Sequence, residues 1–331
     1  MELAIIDIGA LSEKEKADVD KFIMAKNTNG EFINSLNYLS YHGKRFKEDS
    51  IVIRDKGSHV IKGVFLATAA ADNPTTIVSH QGTTFAGPIY NLKDSYQTVN
   101  YVIRLMLSYY EEKYHNICIH VTPNYYAGQA SGILDYVLLQ NGYSYGMTAL
   151  ANIIRIENIN SEEQLLEMYE TKRRNQVRKV LKSNEFVFRQ VESISRDVWE
   201  RMANNLQERH HVHPTHTYEE INSLQVKLPG FIVPYEVRHV SGEYAAFGLI
   251  YKFKNVFHTQ YLDMNYTYAA DCPNLLLVHR LLMEARKEKF PVFSFGTSTE
   301  NAGKYLNEGL WAYKSGYGGG SIILPVYSKI L

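Results

Sequence analysis

The run Ser294-Phe295-Gly296-Thr297-Ser298-Thr299-Glu300-Asn301-Ala302-Gly303 decides how the rest of the chain is read. It continues into Asn307-Glu308-Gly309-Leu310, Lys314 and Gly316-Tyr317-Gly318-Gly319-Gly320. Residues 292–295 form a short apolar run that begins where a helical pattern ends, which predicts a buried strand. Gly296 breaks it, and three hydroxyl residues follow at its exit. In an α/β sheet, ligands bind outside the carboxyl ends of parallel strands. Small residues there let a substrate approach the backbone, and the hydroxyls can hydrogen-bond it. A tight strand-to-helix turn without a ligand uses the same residue types, so both readings stand on these residues alone.

Working outward, the 331 residues suffice for about two domains. Apolar content is ordinary, so a packed core is expected and disorder is not. Lys and Arg number 35, as do Asp and Glu, so no global field favours nucleic acid or an acidic membrane. The 25 tyrosines give apolar area with a polar tip, which suits clefts and interfaces. The only two cysteines, Cys118 and Cys272, make no disulfide framework and have no zinc-ligand spacing. A reducing compartment suits them. The apolar start, residues 3–8, is interrupted by Asp7 and has no signal-peptide layout. No apolar run approaches the ~18 residues that a membrane span requires. A cytoplasmic location is expected.

In chain order, Ser12-Glu13-Lys14-Glu15 is a capping-box pattern that predicts a first helix. Strand signals follow at 50–54, 60–69 and 76–79, with a loop at 82–88. Val99, Val102, Ile103, Met106 and Leu107 recur with helical spacing, and 116–121 reads as a strand. Residues 133–139 predict a helix, and 143–156 a long strand leaving the first half. Ser161-Glu162-Glu163-Gln164 predicts a second capping box, opening one helix that carries Leu165, Leu166, Tyr169, Val177, Val180 and Leu181. Strands are expected at 186–191, 231–240, 244–253 and 256–263. Helices are expected at 199–206, 218–225 and from Asp271-Pro273 onward, the last with Arg286, Lys287 and Lys289 at its C-terminal dipole. The halves repeat this order: Gly128 and Gly303 are 175 positions apart, as are Asn116 and Pro291. A shared offset suggests duplication of one α/β unit. The expected domains are 1–157 and 158–331. Each would be a mixed sheet with helices on its faces.

Three polar groups could carry chemistry. Glu208-Arg209-His210-His211-Val212-His213-Pro214-Thr215-His216 is the densest, with four histidines. Pro214 prevents a regular helix from presenting them together, so no metal site is expected. One histidine near neutral pH can take a proton from an attacking amine or hydroxyl, which makes His211, His213 and His216 candidate catalytic residues. Arg174, Arg178 and Lys182 recur at helical spacing and could hold an anion, although a solvated helix face has the same pattern. His258 and Gln260 share one face of the 256–263 strand and Tyr261 takes the other. No Gly-x-Ser-x-Gly, P-loop or His-Glu-x-x-His motif is present, which fits direct transfer without a covalent intermediate.

The Phe-Gly-Thr-Ser-Thr strand exit, Gly303, Leu306-Asn307-Glu308-Gly309-Leu310, Lys314 and the glycine-rich end resemble the last third of FemABX-like proteins. The nearest resemblance is to the branch of bacterial surface-polysaccharide gene clusters. These are tandem GNAT-fold acyl and aminoacyl transferases. Arg209, His211, Pro214, Thr215 and His216 resemble that branch's Arg-His…Pro-Thr-His stretch, and Arg173-Arg174-Asn175 with Arg178-Lys179 resembles its basic helix. The resemblance implies two tandem GNAT-like domains of α/β class, with most of the site in the second. It also implies an acyl-CoA or aminoacyl-tRNA donor and an amine acceptor on a sugar or cell-envelope precursor. Catalytic roles would fall to His211, His216, His213 and Tyr261. Substrate binding would fall to Arg209, Thr215, His258, Gln260, Thr297, Ser298, Asn307 and Lys314, and anion binding to Arg174, Arg178 and Lys182. One departure concerns the donor. Coenzyme A-dependent GNAT enzymes carry a glycine loop whose amides hold the pyrophosphate at a helix N-terminus, and residues 266–274 contain no glycine. Zero net charge and the absence of a long coiled-coil arm favour acyl-CoA over tRNA. A non-catalytic binding module is the alternative from another class.

Overall fold

The computed structural model describes residues 2–127, 131–146, 149–301 and 303–331. The landmarks Gly128 and Ala302 lie outside the described residues, as do Met147, Thr148 and the His210 side chain. Contacts divide the chain into two units. One holds 1–149, 301–304 and 323–331, and the other holds 150–300 and 305–322.

In the first unit the elements are β1 Leu3–Asp7, α1 Glu13–Met24, β2 Ile51–Asp55, β3 Ile61–Ala69, β4 Thr76–Ser79, β5 Gly87–Tyr90, α2 Tyr96–Glu111, β6 Asn116–His120 and α3 Ile133–Gln140. The predicted capping box opens α1: Ser12 accepts from the Glu15 amide, and the Glu15 carboxylate accepts from the Ser12 amide. β1 to β4 are antiparallel neighbours. β4 and β6 then run parallel, with Ile77 opposite Ile117 and Val78 opposite Cys118. The C-terminal strand Val326–Ile330 lies antiparallel on the other side of β6. The helically spaced apolar face of α2 is buried against Phe65, Ile117 and Ile119.

The second unit contains β7 Ala149–Arg155, α4 Glu162–Met168, α5 Thr171–Ser183, β8 Phe186–Gln190, α6 Arg196–His210, α7 Tyr218–Lys227, β9 Ile232–His239, β10 Tyr244–Lys252, β11 Val256–Met264, α8 Pro273–Lys287, β12 Val292–Thr297 and α9 Glu308–Ser315. The sheet order is β8-β9-β10-β11-β12-β7, with the strand Gly320–Leu324 beyond β7. β8 to β11 are antiparallel, β12 is parallel to β11, and β7 is antiparallel to β12. α8 buries Leu275, Leu277, Val278, Leu281, Leu282 and Ala285 against the sheet. Phe257 and Phe293, side by side on the parallel pair, stack with centroids 5.9 Å apart and are fully buried. Each such burial stabilises by about 1.5–3 kcal/mol.

Strands β6 and β12 hold equivalent positions. Each has a parallel strand on one side and an antiparallel strand on the other. The flanking antiparallel strands are exchanged: β7 comes from the first half of the sequence yet sits in the second sheet, and Val326–Ile330 sits in the first. The sequence division after 157 falls just past β7, which by contacts belongs with the second unit.

Two expected elements are divided. The single helix expected after Ser161 is two helices, because Tyr169 (φ −72°, ψ 146°) and Glu170 (φ −52°, ψ 145°) are non-helical. Gln164 also reaches the Asn160 amide rather than that of Ser161, so the second capping box is incomplete. The run 143–156 is interrupted, and Ser144–Tyr145 is a separate short strand.

Candidate active site

The last paired rung between β11 and β12 is His258 opposite Ser294. Beyond it β11 continues to Met264 without a β12 partner, so the two strands part. Gln260 adds to the opening. Leu249 pairs with Tyr261 and Ile250 with Thr259, which leaves Gln260 as the extra residue of a bulge. A bulge bends its strand and re-aims side chains. The gap is a cleft of about 380 Å³.

The pleat gives the cleft two different walls, because neighbouring residues on a strand face opposite sides. Leu262 points toward α8. A Cβ on Gly248, beneath it, would lie 3.2 Å from Leu281 and 3.4 Å from Leu262. Leu277, Val278 and Phe295 extend this apolar side. The next residue, Asp263, points toward α6. The Asn205 amide donates to its Oδ1 at 3.0 Å, and the Tyr244 hydroxyl donates to Oδ2 at 2.7 Å. Burial raises the Asp263 carboxyl above the usual aspartate value, and these donors only partly offset that. Asn205 and Tyr244 carry no local sequence signal.

Lys314, on α9, lines the same cleft and is only 7% exposed. Its Nζ donates to the Thr297 carbonyl at 2.5 Å, and burial pushes its pKa down to about 8. Among the described residues it has no carboxylate within ion-pair distance. His258 is buried to the point that its pKa falls to about 3, with the Lys314 charge adding to the shift. It is therefore neutral at physiological pH, with Nδ1 3.1 Å from Ser294 Oγ.

The histidine stretch does not converge as a group. His211 ends α6 in the left-handed region (φ 55°), and both His211 and His213 are exposed. His216 is buried, with Nδ1 2.9 Å from the Tyr261 hydroxyl. Burial raises the Tyr261 phenol, while hydrogen bonds involving His216, Thr215 and Gln260 lower it. The Tyr261 ring meets Trp199 edge-on at 5.3 Å. Gln260 lines the cleft, as does Tyr266, on whose face the Arg209 guanidinium lies 3.4 Å from the ring centroid. Thr297 contributes its carbonyl to Lys314. Ser298 is buried, and its hydroxyl donates to Asn152 on β7 at 2.9 Å. Asn307 caps α9, accepting from the Leu310 amide and donating to Glu300. Arg178 pairs with Glu163, Lys182 is exposed, and the buried Nε of Arg174 has no hydrogen-bond partner. None of these three cations lines the cleft. Among the described residues, no group of three or more His, Cys, Asp or Glu is placed to hold a metal.

Ahead of α8, residues 266–271 form a 3₁₀ turn rather than an open amide cradle. The Thr267 amide donates to Asn265 Oδ1, that of Tyr268 to the Asn265 carbonyl, and that of Leu275 to the Cys272 carbonyl. Pro273 has no N–H to offer.

Residues 168–315 match the family described as Acetyltransferase (GNAT) domain. Across its whole length the chain is similar in structure to FemX, with a TM-score of 0.70, 14% identity and coverage of 100% of this chain and 98% of that one. A putative lysylphosphatidylglycerol synthetase C-terminal domain from Agrobacterium fabrum gives 0.59 at 9% identity, covering 96% and 92%. A tandem GNAT protein from the clavulanic acid biosynthesis pathway gives 0.54 at 9%, covering 99% and 98%. No curated protein matches the sequence. Residues 168–315 thus match a GNAT acetyltransferase domain, and the chain as a whole shares its fold with FemX and with a tandem GNAT protein. No helix among the described residues is long and apolar enough to cross a membrane.

Proposed function

We propose that the protein transfers an acyl group from acyl-CoA to an amine of a sugar or cell-envelope precursor, in the cleft where β11 and β12 part. The two-walled cleft carries this reading. The apolar wall of Leu262, Leu277, Val278 and Phe295 suits the donor's thioester arm, and the polar wall around Asp263 suits an amine. The unladdered edge of β11 offers backbone groups to an extended arm, as a sheet edge does to an added strand. The amine nitrogen attacks the thioester carbonyl, and amides of that edge stabilise the oxyanion. Asp263 takes the proton from nitrogen as the C–N bond forms. The C–S bond breaks, and the leaving thiolate is protonated by solvent. His216 and Tyr261 brace β11 from behind.

One observation favours an aminoacyl-tRNA donor instead, with a peptidoglycan precursor as acceptor. The amides of Thr267 and Tyr268 ahead of α8 are engaged within their own turn and Pro273 has none, which disfavours the usual cradle for the coenzyme A pyrophosphate. Titration calorimetry with acetyl-CoA, beside binding of a charged tRNA at physiological salt, separates the two. Acetyl-CoA binding supports the first reading. Micromolar binding of charged tRNA without any acyl-CoA binding replaces it with the second.

A further inference from the structure

The cleft holds two charges of opposite sign, a buried Lys314 and a half-buried Asp263, one tied to each of the two strands that part. Asp263 belongs to β11 and is held from the α6 side. Lys314 is tied to β12 through the Thr297 carbonyl. Both line the cleft, yet no ion pair joins them. A buried charge without a counter-charge is costly, and that is the position of Lys314; Asp263 feels the charge of Arg209, but from beyond ion-pair distance. Lys314 is an ammonium with three donors and spends one on Thr297. Asp263 accepts from Asn205 and Tyr244, which leaves lone pairs on Oδ1. Both groups have unused capacity, of complementary sign, across one opening.

We propose that the acceptor is a zwitterion, a primary amine whose own molecule carries a nearby anionic group. Asp263 reads the amine and Lys314 reads the anion. This rests on the acylation of an amine in this cleft. It narrows the acceptor from any amine to an amino acid or an amino compound bearing a phosphate. An amine without an anionic group would leave the Lys314 charge uncompensated, so the site selects against it. A carboxylate and a phosphate offer Lys314 the same chemistry, and the test distinguishes them.

Four small probes measured by calorimetry decide it: β-alanine, O-phosphoethanolamine, ethanolamine and propionate. The expected result is that one or both zwitterions bind at least about tenfold more tightly than ethanolamine or propionate. The tighter zwitterion identifies the anion as carboxylate or phosphate. Lys314→Met should reduce zwitterion binding to the level of ethanolamine and leave ethanolamine unchanged. Asp263→Asn should reduce it to the level of propionate. Thermal unfolding checks that the variants fold, and if Lys314→Met does not, the ranking on the unaltered protein decides alone. Ethanolamine binding as tightly as the zwitterions overturns the proposal. So does zwitterion binding that survives Lys314→Met, or no binding of any probe at tens of millimolar. Thiol release from acetyl-CoA with equal efficiency for ethanolamine and β-alanine would remove this inference and leave acyl transfer standing. Zwitterion binding without thiol release would do the reverse.

Discussion

His258 Nδ1 lies 3.1 Å from Ser294 Oγ on the last rung before β11 and β12 part. The next turn of β12 depends on this contact. Gly296 has φ +69°, and its amide donates to the same Ser294 oxygen at 3.1 Å. Its bare Cα lies under the imidazole. A Cβ there would sit 3.1 Å from His258 Cε1. Gly296→Ala is therefore expected to destabilise the protein by about 1–2 kcal/mol, from the left-handed backbone alone. It should also lower kcat/KM by displacing the ring at the apex of the cleft. Urea unfolding with steady-state kinetics checks both, and unchanged stability would mean that this turn is not held as described.

Asp263→Asn keeps a hydrogen-bonding side chain between Asn205 and Tyr244 but removes the base. A loss in kcat/KM of roughly 10²–10⁴-fold is expected. The pH profile is the sharper readout. Burial raises the Asp263 pKa, so the acid limb of the unaltered enzyme should lie above 3.8. That limb should be absent from the residual activity of the variant.

The three described histidine side chains of the 208–216 stretch should separate cleanly. His211→Ala and His213→Ala change exposed groups and should alter activity by no more than about twofold. His216→Ala removes a buried ring and its hydrogen bond to the Tyr261 hydroxyl and should cost about 0.5–1.5 kcal/mol of stability. A large activity loss in His211→Ala with unchanged stability would restore His211 as the base.

Stability should fall on mild acidification. Burial lowers the pKa of His258 to about 3 and also lowers that of His279, which sits between Tyr169 and Glu162. Between the unfolded value near 6.5 and the folded one, the unfolded chain binds a proton that the folded chain does not. Each histidine therefore removes up to ~1.4 kcal/mol per pH unit as pH drops below 6.5. Lys314 acts the same way at high pH. Its folded value of about 8 lies under the unfolded 10.5, so stability should rise between them. Urea midpoints across pH 5–10 test this, with Lys314→Met flattening the alkaline rise.

Most of the second sheet was legible because its strands are apolar runs of ordinary length and α8 has a clean helical stripe. The parting of β11 and β12 was not legible in the residue pattern, since periodicity does not report where two strands stop pairing. Asp263 was missed because its partners, Asn205 and Tyr244, lie 58 and 19 positions away. One signal was available: an acid two residues after Tyr261 shares its face of the strand. The density of polar residues at 208–216 reflects the exposed end of α6, and only the burial of His216 distinguishes it from its neighbours. Ser298 and Asn307 have the residue types of substrate ligands; Ser298 donates to Asn152 and Asn307 caps α9, partners that spacing alone does not reveal.

The exchanged strands bear on synthesis. β6 cannot acquire its antiparallel neighbour until residues 326–330 exist, because that strand follows the whole second unit in sequence. A ribosome therefore holds the first sheet with one side of β6 open while all of the second unit is being made. During that interval the open strand is exposed to pairing with other chains. Deleting residues 326–330 should therefore cause aggregation through the first sheet rather than loss of the second.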